Sequence, residues 1–345
     1  MSTVVHVEGS QRGARSPASA VPARMTAVVQ HVYGTTDTLA VEQVEVPSLE
    51  PREVLLRVRA AAVNPADRAI LQGLPYVLRL VYGIPRPRTG IRGSDVAGVV
   101  EAVGVAVTQF GAGDEVFGWC QGAFAEYAAT TETSLAAKPA ALSFEQAAAV
   151  PMAGITALQA LRDQAGLEAG QRVLVNGASG GVGTFAVQVA KAMGAEVTGV
   201  CSTRNVELVR TIGADHVIDY THEDFTRSAG RYDVILDNVG NHTLAECRRA
   251  LTPTGVLIPN SMAGNRWFGS IGRVLTALVT SPFVRQNLRP FFSIPKKTDL
   301  LVLVDLLEAG RITPVIDSTH PLGDAPAAIA HLGGGHARGK IVLTV

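Results

Sequence analysis

The spacing of apolar residues divides the chain near residue 145. Before that point the period is two. Met25 to Gln30 alternates as a half-buried strand does, and Leu39 to Val46 and Glu53 to Ala60 follow as two more, parted by the Pro47 to Pro51 turn. Val96 to Val103, Glu115 to Phe117 and Phe124 to Ala129 add short strands between glycine turns. The region from 25 to about 145 therefore reads as mainly β, a partly open barrel. Ser143 to Arg162 turns helical, with a break at Pro151. Strands and helices then alternate. Val173 to Val175 reads as a buried parallel strand, and Val182 to Met193 as a helix that Gly194 closes as a left-handed cap. Strands over Glu196 to Cys201, Asp215 to Tyr220, Tyr232 to Leu236 and Gly255 to Ile258 continue the alternation, with a helix over Asn205 to Ile212. A helix from Asp299 to Ala309 leads to Ile312 to Ile316 and a terminal strand, Lys340 to Val345. These last strands look like β-domain material, so the chain is expected to return to its first half. The class is α/β, with no internal repeat.

Between the first parallel strand and its helix lies Gly177-Ala178-Ser179-Gly180-Gly181-Val182-Gly183. A strand, a glycine turn and a helix in that order form the phosphate-binding end of a dinucleotide fold. Gly180 lets the backbone approach a pyrophosphate, Gly183 lets the helix pack close, and the helix N-terminus holds negative charge. The same residues also fit the G-x-S-x-G elbow of serine hydrolases, with Ser179 as nucleophile. The continuing β/α alternation favours the dinucleotide. Its ribose is read at the end of the second strand, about 20 residues on. There the chain has Cys201, Ser202, Thr203 and Arg204, with no carboxylate to repel a 2′-phosphate and a guanidinium to bind one. NADPH is the expected cofactor. Arg204 alternatively reads as a solvated residue at a helix start.

Composition narrows the classes. The 345 residues suffice for two domains, and 30 basic residues balance 30 acidic ones, which points away from nucleic acid and anionic membrane. Three scattered cysteines, Cys120, Cys201 and Cys247, make neither a disulfide framework nor a zinc motif; they fit a reducing, cytoplasmic setting. No apolar run reaches membrane-spanning length, and the longest, Trp267 to Val279, is broken by Arg273. Residues 1–24 lack the apolar stretch of a secretory signal. Arg12, Arg15 and Arg24 suit a transit peptide, whereas Glu8 and the missing amphipathic pattern suit a disordered tail.

Taken together, Asn64-Pro65-Ala66-Asp67, Gly93-x-Asp95-x-Ala97-Gly98-x-Val100, Gly113-Asp114-x-Val116, Gly154-Ile155-Thr156-Ala157 and the Ala178 to Gly183 turn form a family pattern. From Met25 onward the chain resembles the medium-chain dehydrogenase/reductase superfamily, and within it the zinc-free quinone oxidoreductase and enoyl reductase branch. The resemblance implies a GroES-like catalytic domain (25–148 and 298–345), a Rossmann domain with a doubly wound parallel sheet (149–297), and NADPH in the cleft between them. At the positions that hold catalytic zinc in other members stand Asn64, Ser94-Asp95 and the Pro151-Met152 region, and the lobe with four structural cysteines is absent. Without the metal, oriented donors must polarise the substrate oxygen. That favours quinones and conjugated enones or enals over simple alcohols.

The resemblance also places residues. Thr156 would begin a helix facing the cleft and meet the nicotinamide, or be a satisfied helical threonine. Asn238, Val239 and Gly240 follow one strand, and Pro259, Asn260 and Ser261 the next, at the carboxyl ends where such sheets bind ligands; ordinary turn chemistry is the other reading. Tyr220 would contact the 2′-phosphate or the adenine. Gly339 and Lys340 match a segment that reaches the cofactor, or Lys340 is a plain surface charge. Asn64 and Asp67 are the candidates beside the hydride-accepting carbon, Asn64 as oxyanion donor and Asp67 as catalyst or helix cap. Tyr76 and Tyr82 are possible acids or half-buried core residues. Phe268 to Phe292 is an apolar insertion that caps the cleft, joins two copies as a homodimer or fills core. The eight histidines show no ligand spacing. The expected partner is a small-molecule substrate.

Overall fold

A computed structural model describes residues 21–88, 90–227, 231–261, 267, 271–281 and 284–345. The expected tail therefore lies mostly outside the described residues, as do residues 268–270 and 282–283 of the apolar insertion.

β1 (Arg24–Gln30) and β2 (Leu39–Glu45) form an antiparallel pair. β3 (Glu53–Val63) leads into α1 (Pro65–Gln72) and a single turn, α2 (Arg79–Tyr82). β4 (Asp95–Val103), β5 (Glu115–Trp119), β6 (Tyr127–Thr131) and β7 (Leu135–Ala137) complete the first half. α3 (Phe144–Ala148) and α4 (Pro151–Leu158), with Pro151 at the first helical position as expected, lead to the second half. There the alternation is β8 (Arg172–Asn176), α5 (Gly181–Ala192), β9 (Glu196–Cys201), α6 (Val206–Thr211) and β10 (His216–Asp219). It continues as β11 (Tyr232–Asp237), α7 (Leu244–Arg249), β12 (Leu251–Pro259), α8 (Ile271–Thr280) and β13 (Asn287–Leu288). α9 (Lys297–Glu308), β14 (Ile316–Pro321), α10 (Ala325–Gly333) and β15 (Lys340–Thr344) end the chain.

The second half is a six-stranded parallel sheet in the order β10-β9-β8-β11-β12-β13. Its order reverses beside β8, where chain leaves toward β9 on one side and β11 on the other. The crevice at that reversal is where open α/β sheets bind ligands. The first half is a seven-stranded sheet, and the chain does return to it: β15 pairs antiparallel with β3 and parallel with β14. Ala60, Ala97 and Phe117 of that sheet share one core with Val173 and Val175 of the other, Phe185 of α5, and Ala153 and Ile155 of α4. No helix among the described residues is long and apolar enough to cross a membrane.

Three expectations shift. Phe124 to Ala129 is not one strand, because its first part bonds Val28 and Arg92 and only from Tyr127 does the chain pair with β3. Ile312 to Ile316 is not a strand. Gln188 satisfies both the N–H and the C=O of Thr313, and pairing starts at Ile316. The helix expected to run to Arg162 changes at Gln159 into a π-helical turn ending at Gln164.

Candidate active site

The glycine turn leaves β8 through Gly177, whose φ of +79° only glycine adopts without strain. A Cβ on Gly183 would lie 2.1 Å from the Gly177 carbonyl oxygen, so α5 sits directly on the turn. A Cβ on Gly180 would meet nothing closer than that same oxygen at 3.5 Å, leaving its outer side open. Beside Gly181 runs the stem of Lys340, whose Cδ would lie 3.1 Å from an added Cβ, and Gly339 bridges to Gly180. Ala178 is buried under the turn and donates to Val200 O, and Val182 packs on the main core. Ser179 is buried, and its Oγ accepts from Asn205 Nδ2 at 2.9 Å. An amide cannot take a proton from a hydroxyl, so among the described residues this serine has no base of the kind a nucleophile needs. The hydrolase reading falls here.

The ribose end assembles as the strand ends suggest. Cys201 is buried, and burial followed by the charge of Asp219 pushes its thiol up to about 11, so it stays neutral. Thr203 Oγ1 lies 3.0 Å from Thr221 Oγ1, Ser202 Oγ accepts from Asn205, and Tyr220 N donates to Cys201 O. The strand before Tyr220 stops at Asp219, one residue earlier than expected. Arg204 does not point idly into solvent: its Nη2 donates to His336 O at 2.9 Å, across to the last loop of the β domain. Asp219 was missed. It turns its Oδ1 back to Thr221 N and Oγ1, an Asx-type turn that occupies the carboxylate locally.

The two loops at the carboxyl ends of β11 and β12 join. Asn260 Nδ2 donates to Asn238 Oδ1 at 2.8 Å, and Ser261 Oγ to Val239 O at 2.8 Å, with Pro259 paired to Asp237. Beneath them Asp237 is fully buried and accepts from Asn176 Nδ2, Val239 N, Gly240 N and Arg273 Nη2. Arg273 also donates to Gly240 O and His242 O, fastening α8 to this loop. Neither Asp237 nor Arg273 was singled out from sequence, and nothing in their spacing separates them from core and helix residues. Asn238 Nδ2 is buried and meets no acceptor among the described residues, as suits a donor kept for a ligand.

The deepest polar group lies where α1 begins. Asn64 is its N-cap, and Asp67 at the third position accepts Asn64 N at 2.7 Å, so the cap expected of Asp67 is made. Asn64 Nδ2 donates to Asp95 Oδ2 at 3.0 Å and to Ala62 O, and its Oδ1 accepts Lys340 Nζ at 2.6 Å. Lys340 Nζ also lies 3.2 Å from Asp95 Oδ2, while Asp95 Oδ1 accepts Met152 N at 3.0 Å. The side chains are 3% and 0% exposed, so Lys340 is no surface charge. Both amide hydrogens of Asn64 are engaged, and an oxyanion would have to compete for them. Burial raises Asp95, against the pull of Lys340. Burial also raises Asp67, to about 7, with Asp95's charge adding to it and the Asn64 N–H opposing it. Thr156 corrects one expectation. It sits inside α4 instead of beginning it, and its hydroxyl donates to Met152 O at 2.7 Å, leaving only its oxygen lone pairs for a ligand. Tyr76 packs edge-on to Trp267, and Tyr82 ends α2.

Comparison with known proteins follows this geometry. Residues 50–140 match the alcohol dehydrogenase GroES-like domain and residues 212–343 the zinc-binding dehydrogenase family. The chain is 36% identical over 321 residues to the chloroplast envelope quinone oxidoreductase homolog of Arabidopsis thaliana, covering 87% of this chain and 92% of that one. The chain belongs to the medium-chain dehydrogenase/reductase superfamily. It is an oxidoreductase of the quinone oxidoreductase-like branch. It is 33% identical to the NADPH-dependent alkenal/one oxidoreductase, chloroplastic, of Arabidopsis thaliana, over 94% of this chain and 81% of that one. The quinone oxidoreductase structure from Coxiella burnetii superposes with a TM-score of 0.82 at 28% identity, covering 93% and 99% of the two chains.

For a member of this superfamily two absent groups have to be tested against the residues. The turn, the open side of Gly180 and the unmet Asn238 donor fit a nicotinamide dinucleotide. Zinc does not fit. Asn64 supplies an amide, and both oxygens of Asp95 are taken by Met152 N, Asn64 and Lys340. Burial pushes the nearby Cys120 thiol up to about 12, and no group of three or more His, Cys, Asp or Glu side chains among the described residues could hold a metal ion.

Proposed function

We propose that this oxidoreductase uses NADPH to reduce a quinone or the activated double bond of an α,β-unsaturated carbonyl, without zinc. The observation that carries the reading is the Asn64–Asp95–Lys340 cluster. It brings together the positions at which other members hold catalytic zinc, and the lysine stem lies against the phosphate turn. The bound nicotinamide would supply the hydride. The chain's part is to hold and polarise. Gly180, Gly181 and Gly183 make room for the diphosphate, and Ser202, Thr203, Arg204 and Tyr220 take the adenosine end. Asn238 and the loop over Asp237 bound the nicotinamide side. Lys340 supplies fixed positive charge beside the acceptor, and Asp67 holds a proton close to neutral pH within the same cluster. The names of the Arabidopsis relatives support both acceptor classes.

The test is NADPH consumption over a panel of quinones, enals and enones in the presence of a chelator. Turnover is expected to survive the chelator. Loss of activity together with one tightly held zinc per chain would overturn the metal-free reading. Cofactor binding with no turnover on any acceptor would leave a binding protein. The cofactor choice has its own test. NADPH is expected to exceed NADH at least about tenfold in kcat/KM, from the roughly 10- to 150-fold value of a hydrogen bond to a charged group. Arg204→Ala should remove most of that preference. An unchanged ratio would mean that His336 O is the guanidinium's only role.

The same proposal puts the seam between residues 148 and 149 and between 297 and 298. A homodimer along β13 belongs to the same proposal. This two-residue strand ends the parallel sheet, and exposed Phe292 and Ile294 follow it. Sedimentation velocity tests it. The cytoplasmic location is likewise proposed; both Arabidopsis relatives are chloroplast proteins by name, and imaging a full-length fusion decides.

A further inference from the structure

We infer that Tyr76 and Trp267 set the choice of acceptor: they form an aromatic wall at the seam between the two halves, against which a planar quinone ring stacks. The inference rests on the reading that the cleft reduces such acceptors, and it decides between the two classes left open there.

Tyr76 lies on the turn that follows α1, the helix Asn64 caps. Trp267 lies between β12 and α8, beyond the carboxyl ends of the parallel strands. The rings meet edge to face, with centroids 5.1 Å apart at 65°, and Val77 N donates to Trp267 O at 3.3 Å. The contact therefore joins the β domain to the cofactor domain. The tyrosine side is braced. The Arg79 guanidinium stacks 4.5 Å from the Tyr33 ring and 4.9 Å from the Tyr76 ring, and its Nε donates to Gly73 O at 3.1 Å. Tyr33 OH is fixed in turn by Gly83 O at 2.8 Å. On the other side, Arg273 fastens α8 to Asp237 and Gly240, the loop assigned to the nicotinamide side.

Trp267 packs against Tyr76, yet keeps 66% of its surface exposed. Leu80, Val81 and Ile84, on the same turn region as Tyr76, are also exposed. The surface is thus an electron-rich ring with an apolar rim, placed on the contact between the two halves. A quinone is planar and electron-poor, and offset stacking on indole adds to what apolar burial alone gives. A short aliphatic enal has no ring to stack. The wall favours the quinone.

The experiment compares Trp267→Phe, which keeps a ring, with Trp267→Leu, which keeps apolar bulk and loses it. A naphthoquinone and a short aliphatic 2-alkenal serve as acceptors with NADPH. Trp267→Leu is expected to raise KM for the naphthoquinone about tenfold with kcat nearly unchanged, and to leave the alkenal parameters nearly unchanged. Trp267→Phe should fall between. Equal effects on both acceptors, or none, would overturn the proposal. A second arm reads tryptophan fluorescence without cofactor, corrected against free tryptophan at the same absorbance. The chain has two tryptophans, so the part of the naphthoquinone quench that disappears in Trp267→Phe belongs to Trp267. No such part would overturn the wall even if the enzyme reduced neither acceptor, a result that would instead defeat the reading of the function.

Discussion

Lys340 holds its place because a buried ammonium needs partners, and Asp95 and Asn64 are both within reach. Taking the lysine away leaves Asp95 buried with one ion-pair partner lost. Lys340→Met is therefore expected to cost about 3–5 kcal/mol in urea unfolding; stability equal to wild type would mean that Asp95 takes a proton there without penalty. Asp67 makes a prediction about pH. Burial holds it near 7 against an ordinary 3.8, so between about 4 and about 7 the folded chain keeps a proton that the unfolded chain releases. Its contribution to stability is present at low pH and is lost as pH rises through that window. Asp67→Asn keeps an acceptor for Asn64 N and has nothing to ionise. Its Tm should match wild type near pH 4 and exceed it by about 5 °C above pH 7; a gap that does not widen with pH would refute the assignment. At this scale the sequence was partly readable. Asn64-Pro65-Ala66-Asp67 announced both a helix start and a site. Lys340 was placed by resemblance, but its partners lie 276 and 245 residues away, and no local pattern records a contact at that separation.

Elements followed the same rule: what is decided locally was legible. The alternation of β8 to β12 with helices could be read because strands buried on both faces are apolar throughout and glycines end the helices. β14 escaped because Asp317, Ser318, Thr319 and His320 at a sheet margin carry no apolar alternation. α10 (Ala325–Gly333) was not anticipated; its alanine-rich run resembles packing filler as much as a helix face. The turn itself gives a contrast in which two neighbouring glycines should behave differently. At Gly183 an added Cβ meets backbone oxygen at 2.1 Å, which cannot give way, while at Gly181 it meets the flexible Lys340 stem at 3.1 Å. Gly183→Ala should abolish measurable NADPH binding or leave the chain misfolded. Gly181→Ala should weaken binding by less than about tenfold. Titration calorimetry separates the two, and equal losses would show that the helix does not sit where it is described.

At the scale of the whole molecule, the β domain and the proposed site both depend on β15. β15 lies between β14 and β3, so it is interior to its sheet, and the residue that opens it, Lys340, carries the charge of the site. A chain stopped after Gly339 should lose the sheet's closing pairs and the ammonium together, and circular dichroism and activity should fail as one. If the shortened chain folds and merely loses activity, the sheet is more self-sufficient than its pairing suggests. Proteins are made from the amino end, and early domains usually fold as they emerge. Here the parallel sheet can form while synthesis continues, but the barrel must wait, with β3 paired to β4 and β6 and its edge open over Ala60 to Val63, until β15 emerges. The proposed site is therefore completed only after the phosphate turn has been made. A chain that stops short of Lys340 would keep that turn whole and lack the ammonium between Asn64 and Asp95, so the chemistry itself would report whether the strand was made.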